Sequence, residues 1–226
     1  MAKRPVIIDC DTGTDDAIAL IAALYSPELD VRALTTVIGN VALKYTSRNT
    51  LNLVHYLGFD TPVAVGARQP LVRPEVIYSG NKTHGDTGLG TVTLPDTDAK
   101  FYEKNAVETI YEQALACGGE LELIPVGPLT NIALALRLEP RIAKHVKEVV
   151  LMGGNVLCPG NATPAAEANI HNDPEAADVV FGAGWTVTMV GLDVTHQVNL
   201  TPEHIARYEA SQDPLARHIA RILPHY

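Results

Sequence analysis

The 226-residue sequence has few cysteines, no long hydrophobic run and no continuous run of Lys and Arg. Its three cysteines, Cys10, Cys117 and Cys158, are widely spaced and form no CxxC pair, which indicates a reducing cytoplasm and neither a disulfide framework nor a zinc site. No apolar stretch has the length of a membrane span, and the first residues lead into a strand without the pattern of a signal peptide. A net charge of −9 without any Lys/Arg run argues against a nucleic-acid partner.

Short apolar, β-branched runs alternate with helical patterns along the chain. This alternation predicts a single α/β domain over residues 1–226, built on an open, mostly parallel sheet with helices on both faces. The predicted strands are Val6–Ile8, Val31–Val37, Val63–Val65, Leu121–Val126, Val149–Met152 and Trp185–Val190. The predicted helices are Asp15–Tyr25, Leu43–Leu57, Ala106–Ala116, Leu129–Leu138 and Glu175–Phe181. Ligands of such sheets bind at the carboxyl ends of the strands, where the polar clusters of this sequence fall.

Two segments, Gly66–Asp98 and Gly153–Pro174, are rich in Gly, Pro and polar residues and show no regular pattern. Long loops inside a compact domain are usually functional or disordered. We therefore expect them to contribute to a site or to lack a fixed structure.

Four carboxylates follow the first predicted strand within eight residues: Asp9, Asp11, Asp15 and Asp16. Carboxylates held this closely repel one another, and a hard divalent cation with oxygen ligands is the simplest way to hold them. The alternative is an ordinary helix start, with Thr14 as N-cap and two acids at the positive end of the helix dipole. That alternative accounts for Asp15 and Asp16 but leaves Asp9 and Asp11 unexplained.

A second polar cluster, Asn161–Pro174, concentrates amides and a carboxylate that can bind vicinal hydroxyls, as on a sugar. Ordinary turn chemistry is the alternative, and Asp173 fits it as a helix N-cap before Pro174. Taken alone, Asn40 is typical of a helix N-cap and His84 of a surface histidine.

Taken together, these motifs resemble those of the nucleoside hydrolase family, the inosine–uridine-preferring enzymes that cleave the N-glycosidic bond of ribonucleosides. Asp9–Ala17 is similar to the family signature DxDxGxDDA, and Thr36–Asn40 resembles its second-strand GN element. Pro125–Ala133 resembles its central strand-turn-helix, while Met152–Gly154 and Glu167–Ala177 complete the set. The resemblance extends over essentially the whole chain, in the same order.

The resemblance implies a Ca²⁺ ion bound by Asp11, Asp16 and the backbone carbonyl of Val126. It implies that the ribose hydroxyls are held by Asp15, Asn40, Asn161, Glu167 and Asn169. A water molecule on the calcium would be the nucleophile and Asp11 the general base, with His84 as a further catalytic residue near the base or the 5′ side of the sugar. These roles agree with an oxocarbenium-like transition state and with metal-assisted activation of water. The expected partner is a small nucleoside, and the family suggests a homodimer or homotetramer.

The chain departs from the family pattern in two ways. Family members continue beyond residue 226, where they supply another Asp to the calcium and, in many members, a His near the leaving base. Neither is found here, because Asp213–Ala216 is typical of an ordinary helix start and Asp193 and His196 lie at the exit of the sixth strand. We therefore expect the chain to be C-terminally incomplete, or else naturally short with one metal ligand fewer. In addition, Ala168 stands where an aromatic residue is usual.

Two other functions compete with nucleoside hydrolysis. A degenerate family member would bind nucleosides or ribose without cleaving them. A haloacid-dehalogenase-like phosphatase would use Asp9 as its nucleophile and Mg²⁺ as its metal, because Asp9–Thr12 resembles a DxDx(T/V) start, but it would leave Asp15, Asp16 and the amide-rich loop without a role.

Overall fold

Six strands form one parallel sheet in the structure, a computed structural model that describes residues 2–74 and 83–223. The strands are β1 (Arg4–Cys10), β2 (Leu29–Thr36), β3 (Val63–Val65), β4 (Leu121–Pro125), β5 (Val146–Met152) and β6 (Val187–Val190). Their order across the sheet is β3-β2-β1-β4-β5-β6, and every neighbouring pair is parallel. The α/β prediction is thus confirmed.

Helices connect the strands and cover the sheet. They are α1 (Thr14–Tyr25), α2 (Leu43–Tyr56), α3 (Ala106–Ala116), α4 (Thr130–Leu138), α5 (Ala168–Asn172), α6 (Pro174–Phe181), α7 (Leu192–Thr195), α8 (Pro202–Ala210) and α9 (Pro214–Ile222), with a short 3₁₀ helix at Pro140–Lys144. Residues from α1, α2 and α9 pack on one face of the sheet, and residues from α3, α4 and α6 pack on the other.

The central strand β1 shows why the sheet needs two covering layers. Val6, Ile8 and Cys10 belong to the hydrophobic cluster on one face, whereas Ile7 belongs to the cluster on the other. Alternate side chains of a strand point to opposite faces, so a strand that is apolar at consecutive positions must be buried on both sides. The run Val6–Ile8 is therefore a signature of a central parallel strand.

The order in which successive strands are added to the sheet reverses at β1. Strands β2 and β3 extend the sheet on one side of β1, and β4, β5 and β6 extend it on the other. The connections that leave β1 and β4 therefore diverge and open a crevice at the carboxyl ends of these strands, where ligands bind in folds of this kind.

Most differences from the predicted elements lie at their boundaries. Strand β6 begins at Val187, two residues after Trp185, while β5 begins at Val146, three residues before Val149. The segment Gly153–Pro174 contains the short helix α5, which we did not predict. Part of the other unassigned segment, residues 75–82, lies outside the described residues, as do residues 224–226.

The three cysteines are free thiols, as the sequence predicted. None of the helices within residues 2–74 and 83–223 has both the length and the hydropathy needed to cross a membrane.

Candidate active site

The turn between β1 and α1 brings the acidic cluster to the carboxyl edge of the sheet. Gly13 is the N-cap of α1, and its backbone nitrogen donates a hydrogen bond of 2.8 Å to Oδ2 of Asp16. The N-cap is therefore Gly13, and the alternative with Thr14 in that position is wrong. Asp16 closes the first turn of the helix with its carboxylate, which also lies at the favourable end of the helix dipole.

The Asp11 side chain is almost fully buried, between two glycines that follow neighbouring strands. A Cβ atom on Gly39 would collide with Oδ2 of Asp11, and one on Gly127 would lie 2.6 Å from Oδ1. Only glycine permits these two backbone segments to approach the carboxylate this closely. Oδ1 of Asp11 has no hydrogen-bond partner among the residues that the structure describes.

Asn40 links two of the carboxylates. Its backbone nitrogen donates a hydrogen bond of 2.6 Å to Oδ2 of Asp11, and its Nδ2 donates one of 3.1 Å to Oδ2 of Asp16. Asn40 is not a helix N-cap, since α2 begins at Leu43 after the N-cap Ala42. Its position directly after β2 places it against β1, where it satisfies carboxylate oxygens and caps no helix.

Burial changes the acidity of these groups. It raises the pKa of Asp9 to about 7, and it also raises the pKa values of Asp11 and Asp16, which nearby carboxylates raise further. A buried carboxylate becomes a stable anion only when a positive charge or several donors compensate it. The buried carboxylates are therefore stable when they are protonated or when a cation is bound to them.

The donor set fits a hard cation. Oδ1 of Asp11 is a buried oxygen without a donor, and carboxylate oxygens are the ligands that such ions prefer. No three His, Cys, Asp or Glu side chains converge as ligands of one metal ion within the two described ranges. A cation at this position would therefore need backbone or water oxygens in addition to Asp11 and Asp16.

Asp9 lies beneath the site, in the sheet itself. It is completely buried, and its Oδ1 accepts hydrogen bonds from Thr35 Oγ1 at 2.5 Å and from Asn131 Nδ2 at 2.8 Å. A nucleophile must reach its substrate, so this burial argues against a phosphatase that attacks through Asp9. Asp9 instead connects β1 to β2 and to the start of α4.

His84 packs against the first turn of α1. Its Nδ1 lies 2.8 Å from the Thr14 hydroxyl and accepts a 3.2 Å hydrogen bond from the Thr14 backbone nitrogen. The side chain is buried, so the interpretation as a surface histidine is wrong. Burial lowers the pKa of His84, while Asp15 at 3.9 Å opposes that change. An imidazole whose Nδ1 accepts an N–H is neutral and carries its proton on Nε2.

The amide-rich loop meets β4 and β5 through Asn169. Its Nδ2 donates hydrogen bonds of 2.9 Å to the carbonyl of Val126 and 3.1 Å to that of Met152. Glu167 is the buried N-cap of α5, and its oxygens accept from the backbone nitrogens of Gly154, Asn169 and Ile170. The short helix is thereby held against the ends of two strands.

The structure brings most of the expected site residues to one edge of the sheet. Asp11, Asp16 and Asn40 are in direct contact, and His84 lies beside Asp15 at the same helix start. Asn161 lies further out on an exposed part of its loop, where its Oδ1 accepts the backbone N–H of Ala168 at the start of α5. This contact connects Asn161 to the others through α5.

Sequence reasoning missed two supports of the site. Asn131 bonds Asp9, the carbonyl of Thr36 and the backbone nitrogen of Ala67, and Gly39 makes room for Asp11. Both residues belong to segments that resemble motifs of the family. This was the only indication in the sequence that they contribute to the site. The need for an amide or a glycine at these positions becomes visible only in the packed structure.

Comparison with known proteins shows similarity over almost the whole of this chain. Residues 6–226 match the family model described as inosine-uridine preferring nucleoside hydrolase. The chain is 44% identical over 226 residues to the inosine-uridine preferring nucleoside hydrolase of Crithidia fasciculata, covering 99% of this chain and 71% of that protein. It is 45% identical over 225 residues to the pyrimidine-specific ribonucleoside hydrolase RihA of Photobacterium profundum, covering 99% of this chain and 72% of that protein.

A solved structure, the purine-preferring ribonucleoside hydrolase from Gardnerella vaginalis, superimposes with a TM-score of 0.95 at 36% identity. The match covers 99% of this chain and 72% of that one. In all three comparisons the similarity includes almost the whole of this chain and about seven-tenths of the relative.

Proposed function

The chain belongs to the inosine-uridine preferring nucleoside hydrolase family, and on that premise we propose that it uses Ca²⁺ to hydrolyse the N-glycosidic bond of ribonucleosides. It is an enzyme that hydrolyses nucleosides. The observation that carries the calcium proposal is the buried Oδ1 of Asp11, which has no donor among the described residues and lies in a cluster of carboxylates.

The ion would be held by Asp11, Asp16 and the backbone carbonyl of Val126. The position of Val126 supports its inclusion, because the next residue, Gly127, packs against Oδ1 of Asp11. A bound divalent cation supplies positive charge that stabilises the carboxylates and helps to activate water for attack on the sugar.

Asp11 is the proposed general base. Its Oδ2 is occupied by the hydrogen bond from Asn40, which fixes the orientation of the carboxylate. Oδ1 would bind the ion, and Oδ2, which keeps a second lone pair beside the Asn40 hydrogen bond, would accept the proton of the attacking water. A base that is held rigidly loses less entropy in reaching the transition state.

The ribose hydroxyls would be held by five residues: Asp15, Asn40, Asn161, Glu167 and Asn169. The contacts of Asn169 with two strand ends fix its amide, and Glu167 fixes the helix that carries it. Rigid amides and carboxylates that bind the 2′- and 3′-hydroxyls align the anomeric carbon with the water. His84 is proposed to act near the base or the 5′ side of the sugar, at the position that its contacts with Thr14 give it.

The direct test is release of free base from inosine, uridine, cytidine and adenosine, measured with Ca²⁺ and after removal of divalent cations by a chelator. We expect turnover of at least one nucleoside, loss of turnover on chelation and recovery with added Ca²⁺. The relatives named above include both pyrimidine-specific and purine-preferring enzymes, so the panel must contain both classes.

A matched pair of variants separates the site from a general charge effect. Asp11→Asn should abolish turnover, whereas Asp178→Asn, which makes the same change at an exposed position of α6, should leave it intact. Hydrolysis that persists after chelation would contradict the calcium proposal. Calorimetric binding of ribose without any turnover would instead identify a homologue that binds its ligand without cleaving it.

We also propose that the protein is a homodimer or homotetramer in the cytoplasm. The free thiols support a reducing compartment. Light scattering coupled to size-exclusion chromatography measures the oligomeric state, and a monomeric mass would contradict this part of the proposal.

A further inference from the structure

A basic cleft lies between the end of α2, the segment 91–95 and helix α9. One cavity there has a volume of about 460 Å³, and an adjoining one has a volume of about 290 Å³. Tyr56, His218 and Arg221 line both cavities, and Arg217 lines the smaller one. The larger cavity alone is within the usual size range of small-molecule sites.

The basic side chains share one face of α9. Arg217 and Arg221 are separated by one helical turn, and His218 is three residues before Arg221, so all three point to the same side. The ring of His218 packs on Tyr56, with 4.8 Å between ring centroids and an interplanar angle of 34°. The cleft thus combines an aromatic wall with three nitrogen-bearing side chains.

His218 has an unusual environment for a polar residue. It is only 7% exposed, and its Nε2 has no hydrogen-bond partner among the described residues. A buried polar atom without a partner costs free energy, and such atoms often mark a position where a ligand or ion binds. Burial and the neighbouring Arg221 both lower the pKa of His218, as expected where positive charges lack a counter-ion.

Neither arginine has an ion-pair partner in the described part of the chain. Nη2 of Arg217 donates a hydrogen bond to the carbonyl of Gln212, and Asp213, one turn earlier on α9, uses its carboxylate to cap Leu215 N. No acidic residue belongs to the described lining of either cavity. Like charges one turn apart repel each other, and here they do so in a protein whose net charge is −9.

We propose that this basic cleft binds a phosphate group, either as the free anion or as the phosphomonoester of a small molecule such as a nucleotide. Guanidinium groups match the geometry of phosphate oxygens and bind them through paired, charge-assisted hydrogen bonds. The Tyr56 hydroxyl and the His218 ring are further potential donors. A bound dianion would relieve the repulsion between the arginines and supply an acceptor for the histidine.

The basic cleft is distinct from the candidate active site. Tyr56 is the last residue of α2, whereas Asn40 precedes the first turn of the same helix. A helix of this length extends about 20 Å, so the two sites lie near opposite ends of α2. Occupation of the cleft is therefore separable from the binding of a nucleoside.

The test is isothermal titration calorimetry of the whole chain, freed of divalent cations, with inorganic phosphate at constant ionic strength. We expect saturable binding that Arg221→Gln weakens by about tenfold or more, since a charge-assisted hydrogen bond is lost. Arg137→Gln, which removes the same charge from the end of α4, should leave the affinity unchanged. Thermal unfolding by circular dichroism checks that both variants are folded.

Two further titrations identify the source of the phosphate. Tighter binding of uridine 5′-monophosphate than of inorganic phosphate, with sensitivity to Arg221→Gln, would indicate a nucleotide, and the reverse order would indicate the free anion. Acetate should not compete. The proposal is overturned by the absence of saturation up to about 10 mM phosphate, or by equal affinities in the Arg221→Gln and Arg137→Gln variants. Neither result would affect the proposed hydrolysis of nucleosides.

Discussion

The backbone nitrogen of Asn40 donates a hydrogen bond of 2.6 Å to the carboxylate of Asp11, although the two residues lie on different strand exits. The side chain of Asn40 binds a second carboxylate, that of Asp16. One residue therefore orients the proposed base by its main chain and a proposed metal ligand by its side chain. The two contacts can be separated by mutation, because a side-chain substitution removes only the second.

We predict that Asn40→Ala lowers kcat/KM by about ten- to a hundredfold, because it removes a hydrogen bond to a charged group worth about 1.5–3 kcal/mol. The Asp11 contact should persist, so some activity should remain. Steady-state release of base measures the effect. Asn49→Ala provides a control, since Asn49 binds the nearby carbonyls of Thr12 and Thr87 and, among the described residues, no carboxylate. Full activity in Asn40→Ala would show that the side chain is dispensable.

Gly39→Ala should inactivate the enzyme by displacing the Asp11 carboxylate, since a Cβ at this position collides with Oδ2. Gly184→Ala is the matched control: Gly184 has a positive φ of 79°, but a Cβ there meets no atom within 4 Å. We expect that control to lose some stability and no activity. The paired measurements are initial rates and unfolding midpoints. If Gly39→Ala is as active as the control, our account of the packing around Asp11 is wrong.

Two aspartates that cap helices before a proline should differ in their contribution to stability. Asp173 is fully buried and accepts hydrogen bonds from Ala176 N, Thr130 Oγ1 and Leu71 N, whereas Asp213 is exposed and caps α9 through Leu215 N. We predict that Asp173→Ala costs about 3 kcal/mol or more, since three contacts are lost and two donors stay buried. Asp213→Ala should cost only about 1 kcal/mol. Urea unfolding of both variants measures the difference, and equal costs would contradict this prediction.

The metal-free protein should become less stable as the pH rises. Burial raises the pKa of Asp9 from 3.8 to about 7, so between these values the native state holds a proton that the unfolded state has released. Stability then falls with rising pH across this window, and the contribution is fully present only below the unfolded value. We expect the urea midpoint of chelated protein to fall between about pH 4 and pH 7.

The control for this pH effect is Asp9→Asn, which keeps an oxygen to accept from Thr35 and Asn131 but cannot ionise. Its pH profile should be flatter than that of the wild type. Added Ca²⁺ should reduce the fall in the wild type, because a cation stabilises the charged forms of the neighbouring carboxylates. Identical profiles for the two proteins would refute the assignment to Asp9.

The fold was predictable because its signals are local. The apolar run at Val6–Ile8 reveals a strand buried on both faces, and Asp173 before Pro174 marks a helix start that the structure confirms. We did not predict helix α5, because its five residues are too few to show the helical spacing of apolar side chains. For Glu167, which caps this helix, the resemblance to the family implied a ribose contact and gave no sign of the cap.

The site was predictable in its residue types more than in its contacts. The cluster of four carboxylates from Asp9 to Asp16 indicates a cation, but no local pattern shows that Asn40 bonds both Asp11 and Asp16. His84 illustrates the same limit, because its burial depends on the start of α1, seventy positions earlier in the sequence. The topology of the sheet determines which distant segments meet. Local patterns in a single sequence do not reveal that topology.

The central position of β1 affects how the chain folds during its synthesis. Strand β2 follows β1 closely in sequence and can pair with it early, whereas the partner on its other edge, β4, is made only when Leu121–Pro125 leaves the ribosome. Until then, a strand with apolar side chains on both sides exposes its unpaired edge. The nascent polypeptide therefore passes through a period in which association with other chains competes with completion of its own architecture.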